Sequence, residues 1–336
     1  MNDVFSSDAF GIVALTNAIN ALPYQPMRIG QLGIFQEQGV PTTSVALEFD
    51  GKTLRLIPTK ARGAPATANT RDGRTVRSFA VPHIPLEDVV LPEDYQNVRR
   101  FGSNEQLEGV GEVIARRLSS MRSKLETTIE YHRLGAVQGI IKDADGSTTI
   151  HNLFTDFGVS QDTVGFELAT STTKVRKKCL AVLRLIETAL GGIGYTTVRA
   201  VCGKDFFEAL ISHADVETAY QRYQDGSQLR NDPRYSGFEF AGIFFEEYRG
   251  SIAGSGGSAV NFVDVDNAHF FPTGLPDLFM NYWAPADFVE TANTVGLPFY
   301  AKQEMRKMGR GVDLHAQTNP LCICTRPKSL VKGTRV

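Results

Sequence analysis

Charge of one sign is what this sequence lacks most plainly: 35 lysines and arginines face 37 aspartates and glutamates, a formal net charge of -2. A dedicated nucleic-acid binder carries a distinctly basic domain, so that class is disfavoured. Cysteine is scarce, and Cys179, Cys202, Cys322 and Cys324 follow no framework spacing. A chain of this size needs no disulfide staples, which makes a reducing compartment the simplest expectation. The opening MNDVFSSDAF has neither a basic stretch nor a long apolar one, so no secretion signal is expected. No run of 18 apolar residues occurs, and no membrane span is expected. Missing too are G-x-x-x-x-G-K-[ST] and G-x-S-x-G, which removes the simplest phosphate-loop and serine-hydrolase readings.

What is present is apolar material in ordered patterns. Hydrophobic residues make up 42% of 336 positions, enough for a sizeable core and long enough for two domains. Residues 7–21 read as a short helix capped by Ser7, with Phe10, Val13, Ala14, Ala18 and Ile19 inward; Pro23 and Pro26 end it. Thr43–Phe49 and Thr53–Pro58 flank Asp50–Gly51, a strong hairpin signal. The stretch RGAPATANTRDGR (62–74) has no periodicity, and Val76–Pro82 reads as a returning strand, so 42–85 forms a long two-legged excursion with little core of its own.

Residues 103–139 predict a helix. Leu107, Val110, Ile114, Leu118, Met121, Leu125 and Ile129 step by three or four along one face. Ser103 with Gln106 fits a capping box, and Gly135 and Gly139 mark a fraying end. Such a helix is a spine roughly 45–50 Å long. Strands are expected over 147–168, then mixed α/β structure. Val175, Cys179, Val182, Ile186 and Leu190 line a helix stopped by Gly191–Gly192. Val198–Cys202 is a strand, Asp205–His213 a helix, Phe238–Tyr248 and Val260–Val265 strands, and 284–336 long strands. A compact domain at about 170–285 is thus inserted into a second one of 86–168 and 286–336.

Several motifs have a chemical and a bland interpretation. Gly254, Gly256 and Ala259 match G-x-G-x-x-A, yet the strand-like VNFVDV follows where a dinucleotide loop must open a helix. Asp143, Asp145 and Ser147 begin like a calcium loop, but Thr148 and Phe154 stand where glycine and a bidentate glutamate belong, leaving a turn. Cys322 and Cys324 share a strand face without a second ligand pair nearby, which favours packed thiols. Asp264, Asp266 and His269, with Glu246 and Glu247, form the best candidate for metal or acid–base chemistry; the bland interpretation is the polar edges of two strands. His213 and Glu217, four apart, read as a solvated helix face.

The charge pattern is more informative. Lys52, Arg55, Lys60, Arg62, Arg71, Arg74 and Arg77 are accompanied by one acid, Asp72, and Glu87, Asp88, Glu93 and Asp94 follow soon after. A basic-biased soluble loop accounts for this. So does an arm whose basic face docks on an acidic patch of a neighbouring copy, where complementary charge sets register and partner choice. Nucleic-acid binding by the stretch lacks interleaved aromatics for stacking.

The strings RGAP (62–65), VRSFAVPHIPLED (76–88), EYHRLGAVQGIIKDADGS (130–147), GFEFAGIFFEEYRG (237–250), AHFFPTGLPDLF (268–279), YWAPADFVETANTVGLPFYAKQE (282–304) and NPLCICTRPKSLVKG (319–333) together resemble the lambda-type tailed-phage major capsid protein E family. The resemblance runs from about Phe10 to the C-terminus; its specificity lies in the joint order of strings, none of them catalytic. It implies an α+β chain with the tailed-phage capsid (Johnson) fold: N-terminal arm 1–41, E-loop hairpin 42–85, P-domain 86–169 with the spine 103–139, A-domain 170–285, and P-domain return strands 286–336. It implies a subunit that self-assembles into pentamers and hexamers of an icosahedral head around double-stranded DNA. The expected partners are further copies, scaffold protein, portal, a decoration protein, and packaged DNA touched weakly on the inner face. No cofactor, metal, catalysis or membrane is expected. The virion is the expected location, with assembly in the host cytoplasm. A capsid-fold nanocompartment around enzyme cargo is the alternative, and an enzyme using Asp264, Asp266 and His269 a remote one.

Overall fold

A computed structural model describes residues 12–22, 27–50, 74–96, 109–221, 237–253 and 259–336. Along the first part run α1 (Ile12–Ala21), α2 (Arg28–Gln31), β1 (Phe35–Gly39), β2 (Ser44–Asp50), β3 (Arg74–Ala80), β4 (Ile84–Val90) and α3 (Val110–Gln138). There follow β5 (Ile140–Lys142), β6 (Thr149–Asn152), α4 (Leu153–Phe157), β7 (Asp162–Gly165), α5 (Val175–Leu190), β8 (Thr197–Cys202), α6 (Lys204–Ile211) and α7 (Ala214–Gln221). The remainder is strand: β9 (Phe238–Phe240), β10 (Ile243–Glu247), β11 (Ser251–Ala253), β12 (Ala259–Asn261), β13 (Asn267–Thr273), β14 (Phe279–Trp283), β15 (Tyr300–Met305), β16 (Val312–Thr318), β17 (Pro320–Cys324) and β18 (Val331–Thr334). No described helix is long and apolar enough to cross a membrane.

The chain divides into two compact units, one of Met1–Val45, Ala80–Arg133 and Met280–Cys322, the other of Ala46–Phe79, Leu134–Phe279 and Ile323–Val336. In the first, the antiparallel sheet β15-β16-β4 lies against the apolar face of α3. Ile114, Leu118, Met121, Leu125 and Ile129 are buried as the three-four spacing requires, and the 29-residue helix is about 44 Å long. Leu107 and the Ser103–Gln106 box lie outside the described residues. The α1 face differs from expectation. Leu15, Thr16 and Ile19 are buried while Val13 is 70% exposed; Ser7, Phe10, Pro23 and Pro26 lie outside the described residues. The reason is an edge strand. Thr16 Oγ1 accepts from the Ala301 N–H (3.3 Å) and faces its carbonyl (3.4 Å), and Asn20 donates to the Phe299 carbonyl (2.9 Å). An unpaired strand edge must be covered, and α1 does it with two polar side chains turned inward.

Past Ile129 the spine is no longer amphipathic. Residues 132–137 are all buried, and so is Glu130. Its carboxylate accepts the N–H groups of Ile29 (2.6 Å) and Gly30 (3.0 Å), and Arg133 reaches Glu37 (2.8 Å) with its guanidinium over the Phe35 ring. Arg122, also buried, donates to the Ile19 carbonyl and to Glu126. The charged side of the spine therefore fastens Ile19, Ile29, Gly30 and Glu37 to it.

The second unit is built on a mixed six-stranded sheet, β7-β18-β13-β8-β10-β9, with β10 parallel to β8, β18 parallel to β7, and the other registered pairs antiparallel. Helix α5 buries Val175, Cys179, Val182, Ile186 and Leu190 and stops at left-handed Gly191, as its spacing predicts. Each fully buried aliphatic side chain of this kind contributes about 1.5–3 kcal/mol. Phe166, Phe206, Phe245 and Phe270 interlock in the core at centroid distances of 5.3–5.8 Å. Gly139, not Gly135, closes the spine: it takes φ +84 against the Phe154 ring, whereas Gly135 lies within α3 against the Ile140–Ile141 backbone.

Three expected strands are modified. Within 147–168, the Asn152 side chain caps Phe154 and Thr155 N–H groups and starts the short α4. After Asn261 the strand ends, because Asp264 turns the chain by accepting from Asp266 N (3.1 Å) while its carbonyl takes Asn267 N (3.1 Å). The strand 44–50 pairs with 74–80; the partner expected at 53–58 lies outside the described residues.

Candidate subunit interface

Of the basic stretch, Lys52, Arg55, Lys60, Arg62 and Arg71 lie outside the described residues, and Arg74 opens β3. Arg77 is half-buried and its guanidinium donates to the Asp156 carbonyl in the last turn of α4. Cations suit a helix C-terminus, where carbonyls lack helical partners. Two residues on, Phe79 is buried against His151 and Phe157. The returning leg of the excursion is thus rooted at its base, and Arg77 is spent inside the subunit.

The acidic group divides in two. Arg117 of the spine lies between Asp88 (3.6 Å) and Asp94 (3.5 Å), and Asp94 also accepts the Leu91 N–H (2.8 Å). Glu93 is exposed. Glu87 is 82% exposed, opposite His315 in the β4–β16 register at 3.5 Å. Exposed pairs of this kind contribute little to stability, but Arg117 offsets one of the two charges of Asp88 and Asp94 and holds both carboxylates against the spine. Glu87 and Glu93 remain as the outward anionic part.

The acidic cluster of 246–269 resolves into structural contacts. Glu246 is buried and pairs with Arg199 (3.2 Å), itself over the Phe244 ring. Asp266 pairs with Arg335 (2.7 Å) and Asp264 shapes the turn just described. His269 is buried beside Lys332 in the β13–β18 register. Burial, reinforced by that lysine and opposed by Asp264, lowers its pKa to about 4. No described group of three or more His, Cys, Asp and Glu side chains could hold a metal ion.

A pH dependence follows. His269 is neutral in the folded chain down to about pH 4, whereas the unfolded residue protonates near 6.5. The unfolded state therefore binds the extra proton first, and stability present above about pH 6.5 is lost as pH falls toward 4, by about 3 kcal/mol in all. Urea denaturation of wild type and His269→Gln across that window checks this; equal slopes in the two proteins would refute it.

The other motifs are structural. All four cysteines are free and buried, and burial raises the Cys179, Cys322 and Cys324 thiols to about 12, so they stay protonated and inert at neutral pH. Asp145 forms a turn, its carboxylate held well below the usual range by Thr148 and Ser147. Gly254 and Gly256 lie outside the described residues. His213 is not on a solvated face: it is buried, its Nε2 3.1 Å from the Thr170 carbonyl and its Nδ1 accepting the Asp215 N–H that opens α7. Only Glu217 of that pair is exposed. Reasoning from sequence missed Glu130 and Arg133, although charge at positions adjoining the apolar stripe was visible.

A family model described as phage major capsid protein E matches residues 11–335. The major capsid protein of Pseudomonas phage KPP10 is 33% identical, over 90% of each chain. That of Salmonella phage Felix O1 is 24% identical, over 96% of this chain and 95% of the other. Among solved structures, the putative capsid protein of a prophage of E. coli CFT073 superposes with a TM-score of 0.57 at 13% identity, covering 98% and 100% of the two chains. The mature capsid of bacteriophage PhiM1 gives 0.52 at 12%, covering 94% and 88%. These two likenesses concern the fold alone, and it is the tailed-phage capsid fold.

Proposed function

The chain belongs to the phage major capsid protein E family, and from that premise we propose that it closes its shell through pentamers and hexamers. It is a major capsid protein of a tailed phage, a structural subunit of the virion shell. The near-full-length family match carries this reading. Residues 1–41 serve as arm, 42–85 as E-loop, 86–169 with 286–336 as P-domain, and 170–285 as A-domain, with A-domains clustered about five- and sixfold axes. No catalytic step is assigned to it.

Many copies must bind by contacts that add up, and obligate interfaces commonly bury more than about 2,000 Å². A hairpin without its own core extends that area using few residues, through main-chain pairing and apolar burial on a neighbour. In our reading Lys52, Arg55, Lys60, Arg62, Arg71 and Arg74 face Glu87 and Glu93 of the next copy, with Asp88 and Asp94 half offset by Arg117. Near-neutral charge leaves packaged DNA loosely held, since each neutralised phosphate strengthens binding. Scaffold, portal and decoration proteins join during assembly in the host cytoplasm, and maturation shifts the hairpin.

Negative-stain microscopy of the expressed full chain tests the shell itself: particles are expected, and a monodisperse monomer at high concentration, with or without scaffold, contradicts it. Reversing Arg71 and Arg74 to Glu is expected to abolish particles without changing the melting temperature. Arg77→Glu acts differently, removing the Asp156 contact at a cost of about 1–2 kcal/mol. Normal particles from the Arg71, Arg74 variant would end the docking role and leave the fold standing.

A further inference from the structure

The two most exposed large apolar side chains among the described residues are Val289, 92% exposed, and Met308, 89% exposed. Both belong to the first unit, Val289 in the connection between β14 and β15 and Met308 in that between β15 and β16. Met308 is at the tip joining β15 to β16, within Lys307–Met308–Gly309–Arg310. Its backbone is left-handed, φ +63 and ψ 18, a conformation glycine adopts freely and a branched or long side chain does not. The turn thus holds a bare thioether outward in a strained position. Lys307 and Arg310 are exposed and pair with no acid among the described residues, whereas the nearby Arg306 is taken by Asp313 (2.7 Å).

Val289 stands between two carboxylates. Asp287 is 65% exposed and faces only His83, at 3.8 Å, among the described residues; Glu290 is 50% exposed and shares Lys302 (2.8 Å). This loop is held firmly, through the Phe288 ring against His315 and Lys302 and through the single Thr291 hydroxyl proton shared between the Ala286 and Phe288 carbonyls (2.9 and 3.0 Å). One feature is an apolar centre flanked by cations, the other an apolar centre flanked by anions, and both apolar side chains stand open to solvent. Neither covers the other within the chain. Lys302, which anchors the loop, is five residues before Lys307, about 16 Å of strand.

We propose that the β15–β16 tip of one copy seats Met308 on Val289 of a second copy, with Lys307 and Arg310 against Asp287 and Glu290. The inference rests on the shell reading. The contact is heterologous, joining two different patches. Such contacts close into rings when the rotation allows. Opposed charge sets its register, and the apolar pair is buried at its centre.

Two charge reversals on the full chain test it: Lys307→Glu with Arg310→Glu at the tip, and Asp287→Lys with Glu290→Lys at the loop. Particle yield is read by sedimentation under conditions where wild type assembles, with thermal melts as the folding control. Each reversal alone is expected to lower yield about tenfold, and all four changes on one chain to recover it to within about twofold. Single reversals that assemble like wild type would overturn the contact. So would loss without recovery while the melts are unchanged, which would assign the tip to a different partner. A wild type that forms no particles would instead overturn the shell reading on which the contact stands.

Discussion

Glu130→Ala is expected to lower the unfolding free energy by about 3–5 kcal/mol, because buried donors left without an acceptor cost about 1–3 kcal/mol each. The donors are the Ile29 and Gly30 N–H groups, bound by the two carboxylate oxygens at 2.6 and 3.0 Å. Alanine also leaves Arg133, 5% exposed, without a buried carboxylate one turn away. The loss is local first. Hydrogen exchange at Ile29 and Gly30 should accelerate before the sheet β15-β16-β4 responds, and proteolysis should begin near residues 27–34. Glu130→Gln keeps one acceptor oxygen and is expected to fall between. A change below about 1 kcal/mol with unaltered exchange at Ile29 would show that water replaces the carboxylate there, and the fastening role would be lost.

Gly203→Ala is expected to cost about 3 kcal/mol or more, the upper range for forcing an extra methyl into a packed site. A Cβ at residue 203 would lie 2.0 Å from the Asp264 carbonyl oxygen and 2.7 Å from Val265 Cα. These are backbone atoms, and they cannot rotate away. The same crossing carries Gly203 N–H to the Asn267 carbonyl and Phe206 N–H to the Val265 carbonyl, so a shift breaks main-chain bonds as well. Asp266→Ala, by contrast, removes one half-exposed pair with Arg335 and is expected to cost about 1 kcal/mol or less. Thermal melts of the two variants separate a structural turn from a chemical site at 264–269. If Asp266→Ala assembled normally yet abolished some hydrolytic or metal-dependent activity, the structural assignment would be wrong.

Elements built on a short-range repeat were legible in the sequence. The α5 stripe from Val175 to Leu190 and the α3 stripe from Ile114 to Ile129 are both buried as their spacing demands, since a helix brings positions three and four apart onto one face. The same logic misplaced α1, where Thr16 and Asn20 turn inward to satisfy the edge of β15. It also missed α4, which depends on one Asn152 cap. Ordered strings along nearly the whole chain carried the family, because it is a shared sequence pattern.

The candidate interface divides differently. Its composition, a basic stretch followed by an acidic one, is plain from residues 52–94. Which charges remain available is not. Arg77 is spent on Asp156, 79 residues away, and Arg117 lies 23 residues from the Asp94 that it offsets. Glu130 is bound to backbone 100 and 101 residues distant. Hydrophobic burial follows a periodicity that neighbouring residues impose on each other. The state of a charged group follows from whatever packing delivers to within hydrogen-bonding distance, and local sequence does not encode that distance. Subunit type and the long amphipathic helices α3 and α5 with their core faces were therefore readable from residue order. Packing of distant segments decided which carboxylates and guanidiniums hold the subunit together and which face outward.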